Sequence, residues 1–195
     1  MTQTDYVYSD LLVGEEINQV GEEDTGVAPL TGLKYIRARE GGLGGAYYSQ
    51  EKQYEPFLYG VIEGWFYIST LTDISVTMIG MLGSLDETQS GVAYGLYMPG
   101  GSIHIFSAVV VEGNLGENSE TIDITEVGDI SEQWFRLRVS ISAEGVTVEI
   151  YDSEGSLLAG DTLTTLSSAE GTNGFYLVSD VNNFVLLDST SIDNA

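Results

Sequence analysis

The sequence predicts an all-β, antiparallel sandwich, and three observations carry that expectation. Short runs rich in Val, Ile, Tyr, Phe and Thr recur at intervals of roughly ten residues. Gly, Asn, Asp and Ser separate them, with 24 Gly among 195 residues. Long helical periodicity is missing, while apolar and polar residues alternate strictly in several runs.

Residues 1–28 stand apart. Glu15, Glu16, Glu22, Glu23 and Asp24 surround short apolar steps, with Gly14, Gly21 and Gly26 among them. This segment is expected to be an acidic arm or a loosely docked edge strand, leaving 29–195 as the sandwich. Strands are expected at Leu33–Arg39, Gly60–Thr70, Ile74–Leu82, Val92–Met98 and Ile103–Val111. Four more follow at Trp134–Ile141, Val146–Tyr151, Phe175–Ser179 and Phe184–Asp188. Gly41-Gly42-Leu43-Gly44-Gly45 lacks the Lys and Ser/Thr of a phosphate loop and suits a hairpin tip or bulge. One hairpin can be read in register. A loop at Glu144-Gly145 sets Ile141 opposite Val148 and Val139 opposite Ile150. It also sets Ser140 against Glu149 and Arg138 against Tyr151 on the other face. Helix is expected only as one turn at Ser167–Glu170, a Ser-x-x-Glu capping box ended by Gly171.

Charge bounds the setting. Thirty Asp and Glu face six Lys and Arg, a formal net charge of −24. Such density repels itself in dilute buffer. In molar salt the screening length falls to about 3 Å and the repulsion largely disappears. An ordinary core, 43% hydrophobic, beneath a carboxylate coat therefore points to a halophilic source. The scarcity of Lys and Arg excludes nucleic acid and anionic membranes as partners. The absence of Cys excludes disulfides, thiolate metal sites and cysteine nucleophiles. A single histidine, His104, excludes mechanisms needing two imidazoles, and within Ile103-His104-Ile105-Phe106 it is expected on a sheet face. No apolar run approaches the roughly 20 residues of a membrane span, and the start lacks the features of a secretory signal. No N-x-Ser/Thr sequon occurs.

The last third carries a recognisable grammar. Glu132-Gln133-Trp134-Phe135-Arg136-Leu137-Arg138-Val139 leads to Gly145-Val146-Thr147-Val148-Glu149-Ile150-Tyr151-Asp152. Gly174-Phe175-Tyr176-Leu177 and a closing apolar strand follow. Over roughly residues 131–190 this resembles concanavalin A-like and laminin-G-like jelly rolls, where such motifs shape the fold rather than the function. The resemblance implies two curved antiparallel sheets, with rim loops or the concave face binding glycans, often with calcium.

Three groups of residues suggest chemistry. Thr121-Ile122-Asp123-Ile124-Thr125-Glu126 is close to the E-x-D-x-x-E strand of some glycoside hydrolases of this fold. Asp123 and Glu126 match, but Thr121 stands where the nucleophile belongs and Glu120 faces the other way. A strand with acids out and Ile122, Ile124 in explains the pattern without catalysis, so no catalytic residue is expected. Asp152, Glu154, Asp180, Asn182, Asn183 and Asp188 offer hard oxygen ligands for Ca2+, although the same residue types build ordinary turns. No cofactor is otherwise required. Tyr47, Tyr48 and Tyr97 are the candidate exposed rings for stacking on sugars, with the remaining aromatics expected in packing.

The expected function is a non-enzymatic virion surface protein of a halophilic, haloarchaeal virus. It would be a capsid decoration, turret or tail-fibre head, assembled in the host cytoplasm. Its partners would be other virion proteins, further copies of itself through the arm or a sheet edge, and a host-surface glycan or glycoprotein. The alternatives are a calcium-dependent carbohydrate-binding lectin and a degenerate glycoside hydrolase of the same fold.

Overall fold

The structure is a computed structural model and describes residues 7–9, 17–39, 45–49, 59–71, 76–85, 91–111, 114–165, 172–178 and 184–194. Its strands are β1 (Val7–Ser9), β2 (Ile17–Val20), β3 (Tyr35–Arg39), β4 (Gly45–Ser49), β5 (Gly60–Ile68), β6 (Val76–Leu85) and β7 (Gly91–Pro99). They continue as β8 (His104–Val111), β9 (Asn114–Asp123), β10 (Trp134–Ile141), β11 (Val146–Tyr151), β12 (Leu157–Leu163), β13 (Thr172–Val178) and β14 (Phe184–Asn194). Sheet I runs β1-β4-β13-β6-β7-β8-β9 and sheet II runs β12-β11-β10-β5-β14-β3-β2. Every neighbouring pair is antiparallel. The molecule is an antiparallel β-sandwich of the jelly-roll type.

Alternation builds the core. Along β5 and β10 every second residue is buried, which turns Ile62, Phe66, Ile68, Phe135, Leu137, Val139 and Ile141 toward sheet I. Tyr94, Leu96 and Met98 of β7 and Ile105 of β8 meet them from the other side. Each such side chain is worth about 1.5–3 kcal/mol when fully buried. Phe66 and Phe135, cross-strand partners, stack at 6.3 Å.

The β10–β11 hairpin corrects the expected register by two residues. Ile141 pairs with Val146, Val139 with Val148 and Leu137 with Ile150, while Arg138 meets Glu149. Ser142 N–H donates to Gly145 O, so the tip is Ala143–Glu144. The Ser142 hydroxyl secures it, accepting from Glu144 N–H at 3.2 Å and donating to Gly145 O at 3.2 Å. Gly145 is spent on a close approach instead: a Cβ there would lie 2.9 Å from Leu163 O of β12. A shift of two residues preserves every face, so the buried set is unchanged.

Gly41–Gly44 lie outside the described residues; the strands that flank them, β3 and β4, belong to sheet II and sheet I. The expected turn at Ser167–Glu170 lies outside the described residues. A helical turn that the sequence reading did not expect is present at Glu22–Thr25, α1. Asp24 Oδ2 accepts from Gly21 N–H at its start, and Gly26 ends it at φ 75°. Three acids in the first turn suit the positive end of the helix.

The segment after α1 lies on the face of sheet II that points away from sheet I. The Tyr35 hydroxyl bonds Thr25 Oγ1 and donates to Val27 O at 2.8 Å. Trp134 Nε1–H donates to Ala28 O at 3.2 Å. Tyr35, Leu186, Val27, Tyr67, Trp134 and Phe184 form a second, smaller apolar cluster there.

Candidate functional site

On sheet I, Ile105 of β8 points into the core, so Phe106, Ala108 and Val110 belong mainly to the opposite face. They and Ala93 are buried there as well. Among the described residues of that face, Tyr97 and His104 are half-buried and Thr121 and Asp123 are exposed. Tyr97 pairs with His104 and His104 with Asp123, so the three form one row across three adjacent strands.

A hairpin sets this register. Pro99-Gly100-Gly101-Ser102 closes with Ser102 N–H donating to Pro99 O, and Gly100 and Gly101 adopt φ 56° and 79°. The Tyr97 and His104 rings lie 6.2 Å apart with 35° between planes, and Phe106 meets the Tyr97 ring edge-on at 6.2 Å. At the end of the row, Asp123 Oδ1 accepts from Thr125 N–H at 2.9 Å. Thr125 is itself held, its Oγ1 accepting from Ile103 N–H at 3.0 Å. The hydroxyl and the amide of Thr125, with His104 nearby, hold the Asp123 carboxyl below the usual carboxylate range. An aromatic face, an imidazole and an ionised carboxylate thus stand in line. Such a row can stack on the C–H face of a sugar ring and bond its hydroxyls.

The other candidates fall elsewhere. Tyr47 occupies the row that runs through Tyr176, Gly80 and Gly95 to Phe106, next to the row of Tyr97. Tyr48 occupies the row of Phe175, Met81 and the core residue Tyr94. The stretch 121–126 is not one strand, which corrects the expectation of a single strand there. β9 stops at Asp123, Ile124 N–H donates to Ile103 O, and Thr125–Val127 turn as a 3-10 helix that leaves Glu126 exposed. Ile124 is buried, Ile122 packs against the core, and Glu120 shares their face, as the alternation requires. The Glu120 carboxylate is engaged by Thr164, whose N–H donates to Oε2 at 2.7 Å.

Asp152 Oδ1 accepts from Glu154 N–H and Ser156 N–H at 2.9 and 2.8 Å, the bonding of a side-chain-braced turn, with Glu154 exposed. Asp188 is fully buried and surrounded by donors: Leu30 N–H, Thr31 N–H, Thr31 Oγ1 and Ser189 Oγ. Asp188 and the β11 end that carries Asp152 are three strands apart in sheet II, about 14 Å, too far to share an ion. Asp180, Asn182 and Asn183 lie outside the described residues. Among the described residues no group of three or more His, Cys, Asp or Glu gathers for a metal. No described helix is long and apolar enough to cross a membrane.

His104 is the member of the row that sequence reasoning missed as a partner of Tyr97. The Pro-Gly-Gly-Ser turn was the available signal, since it dictates which residues of the two strands face each other.

No protein-family model and no curated protein sequence matches the chain. Solved structures do. The Ca2+/Man3GlcNAc-bound exoplasmic/lumenal domain of VIP36 aligns over 100% of this chain and 90% of its own, with TM-score 0.65 and 10% identity. Carbohydrate binding module CBM66 from Bacillus subtilis aligns over 98% of this chain and 96% of its own, with TM-score 0.60 and 9% identity. A protein of unknown function from Shewanella oneidensis MR-1 aligns over 99% and 80%, with TM-score 0.56 and 13% identity. At these identities the likeness is one of fold: the chain shares their β-sandwich architecture.

Proposed function

We propose that this protein is a non-enzymatic glycan-binding module whose site is the row Tyr97–His104–Asp123. The observation that carries the reading is that one ring, one imidazole and one pre-ionised carboxylate share a cross-strand row on the outer face of sheet I. Tyr97 supplies the stacking surface, His104 a donor or acceptor, and Asp123 an acceptor for sugar hydroxyls. The architecture supports it, since two sandwiches of similar fold are a carbohydrate binding module and a glycan-bound domain. With net charge −24, the ligand is a neutral sugar. The setting we propose is a virion surface in concentrated salt, on which the module meets host glycans; the charge supports it. A calcium-dependent variant of the same reading draws on the Ca2+ bound to VIP36.

A neutral-glycan array in molar KCl, with and without chelator, tests the proposal. Binding to neutral sugars is expected, weakened at least about tenfold by Tyr97→Ala and by Asp123→Asn, a loss of about 1.4 kcal/mol each. Binding that both variants retain, or no binding to any glycan, overturns the site. Loss of binding on chelation selects the calcium-dependent form.

A further inference from the structure

The face of sheet II that points away from the core carries an unusual concentration of the chain's few cations. Asp188, Trp65, Arg136, Tyr151 and Leu157 are successive cross-strand partners on β14, β5, β10, β11 and β12. The Arg136 guanidinium lies 4.4 Å from the centroid of the Tyr151 ring and 6.0 Å from that of Trp65. The next row along is Glu63–Arg138–Glu149. Gly160 of β12 lets Glu149 lie over the neighbouring strand, because a Cβ there would lie 3.2 Å from Glu149 Cγ. Nε of Arg136 and of Arg138 is buried and meets no acceptor among the described residues. Exposed leucines bracket the ladder. Leu157 stands at one end, 55% exposed, and Leu33, 86% exposed, belongs to the segment that Leu30 and Thr31 anchor to Asp188 at the other.

Charge says what can dock here. On the part of this face built by β5, β10 and β11 the charges are Arg136 and Arg138 against Glu63 and Glu149, two of each sign. The rest of the chain keeps the whole net charge of −24. Two copies that meet across this part of the face bring together neutral patches instead of the carboxylate excess that the chain carries as a whole. Trp, Tyr and Arg are also the residues enriched where interfaces bury their centres. The sheet edge is the poorer docking element: Asp161 of β12 pairs with the core residue Val148, which puts a carboxylate on the inward side of that edge.

We propose that the outer face of sheet II, centred on Trp65–Arg136–Tyr151, is a homodimer interface joining two copies of this chain face to face. An anionic polysaccharide is the competing occupant, which Glu63 and Glu149 beside Arg138 disfavour.

Sedimentation equilibrium of the full chain in molar KCl tests this. The expected result is a dimer whose dissociation constant falls as salt rises. Arg136→Glu and, separately, the exposed Leu157→Glu should each raise that constant by about tenfold or more, with the melting transition retained. Tyr97→Ala should leave it unchanged, which separates this interface from the glycan site. A chain that stays monomeric at every concentration, or a dimer indifferent to both substitutions, overturns the proposal. So does binding of a sulfated polysaccharide that competes with dimer formation and is abolished by Arg136→Glu.

Discussion

Asp188 and Thr31, 157 residues apart in sequence, are joined by two hydrogen bonds: Thr31 Oγ1 donates to Asp188 Oδ1 at 2.9 Å and Thr31 N–H donates to Oδ2 at 3.2 Å. Leu30 N–H adds a third donor at 2.9 Å, and Ser189 Oγ a fourth at 3.1 Å. A carboxylate that looked available for a cation is thus the clasp that holds the segment following α1 onto β14.

Asp188→Ala removes the acceptor from two backbone amides that it alone serves at this site. We expect a loss of about 3 kcal/mol, from the cost of leaving buried donors unmet. In thermal melts this is about 10 °C. Chelator added to the wild type should leave the melting point where it is. An equal drop on chelation would mean that Asp188 holds a metal after all.

Glu120 and Thr164 make the corresponding stitch between the sheets, from β9 to the chain just past β12. The Thr164 amide is the chief reason the Glu120 carboxyl titrates below the ordinary range, with the Thr164 hydroxyl and Thr165 assisting. A carboxyl whose folded value is lowered adds stability above its unfolded value and loses it as pH falls through the folded one. Stability should therefore decline on acidification more steeply in the wild type than in Glu120→Gln. At neutral pH the substitution should cost less than about 1 kcal/mol, since the bonded group is close to solvent. Parallel pH–melting curves for the two proteins would refute the assignment.

Salt should act on the whole molecule. With −24 on 195 residues, the melting temperature is expected to rise steadily as KCl approaches molar concentrations, because screening removes self-repulsion that the folded state concentrates. A melting point that is flat or falls with KCl would remove the basis for a halophilic setting.

Local pattern was enough for much of the architecture. Alternation in Phe135–Ile141 and Val146–Ile150 already separates core from surface, and the structure buries that set. Ile122 and Ile124 likewise turn inward as their spacing demands. The edge strand β12 (Leu157–Leu163) was less visible: only Leu163 of it is fully buried, so it lacks the alternating burial that marks a strand. The helical turn Glu22–Thr25 was hidden because its caps are two glycines, Gly21 and Gly26, around an acidic run, a pattern shared with loops.

Face assignment belonged to the sequence, because the two-residue period of a strand is a local property and survives even the two-residue slip in the β10–β11 register. Partner assignment belonged to the tertiary structure. Trp65 meets Arg136 only because β5 and β10, distant in sequence, lie side by side, and Asp123 joins the row of Tyr97 and His104 only through the register of β9 on β8. Asp188 became a clasp for the same reason: its function depends on which donors fold onto it, and those come from the opposite end of the chain.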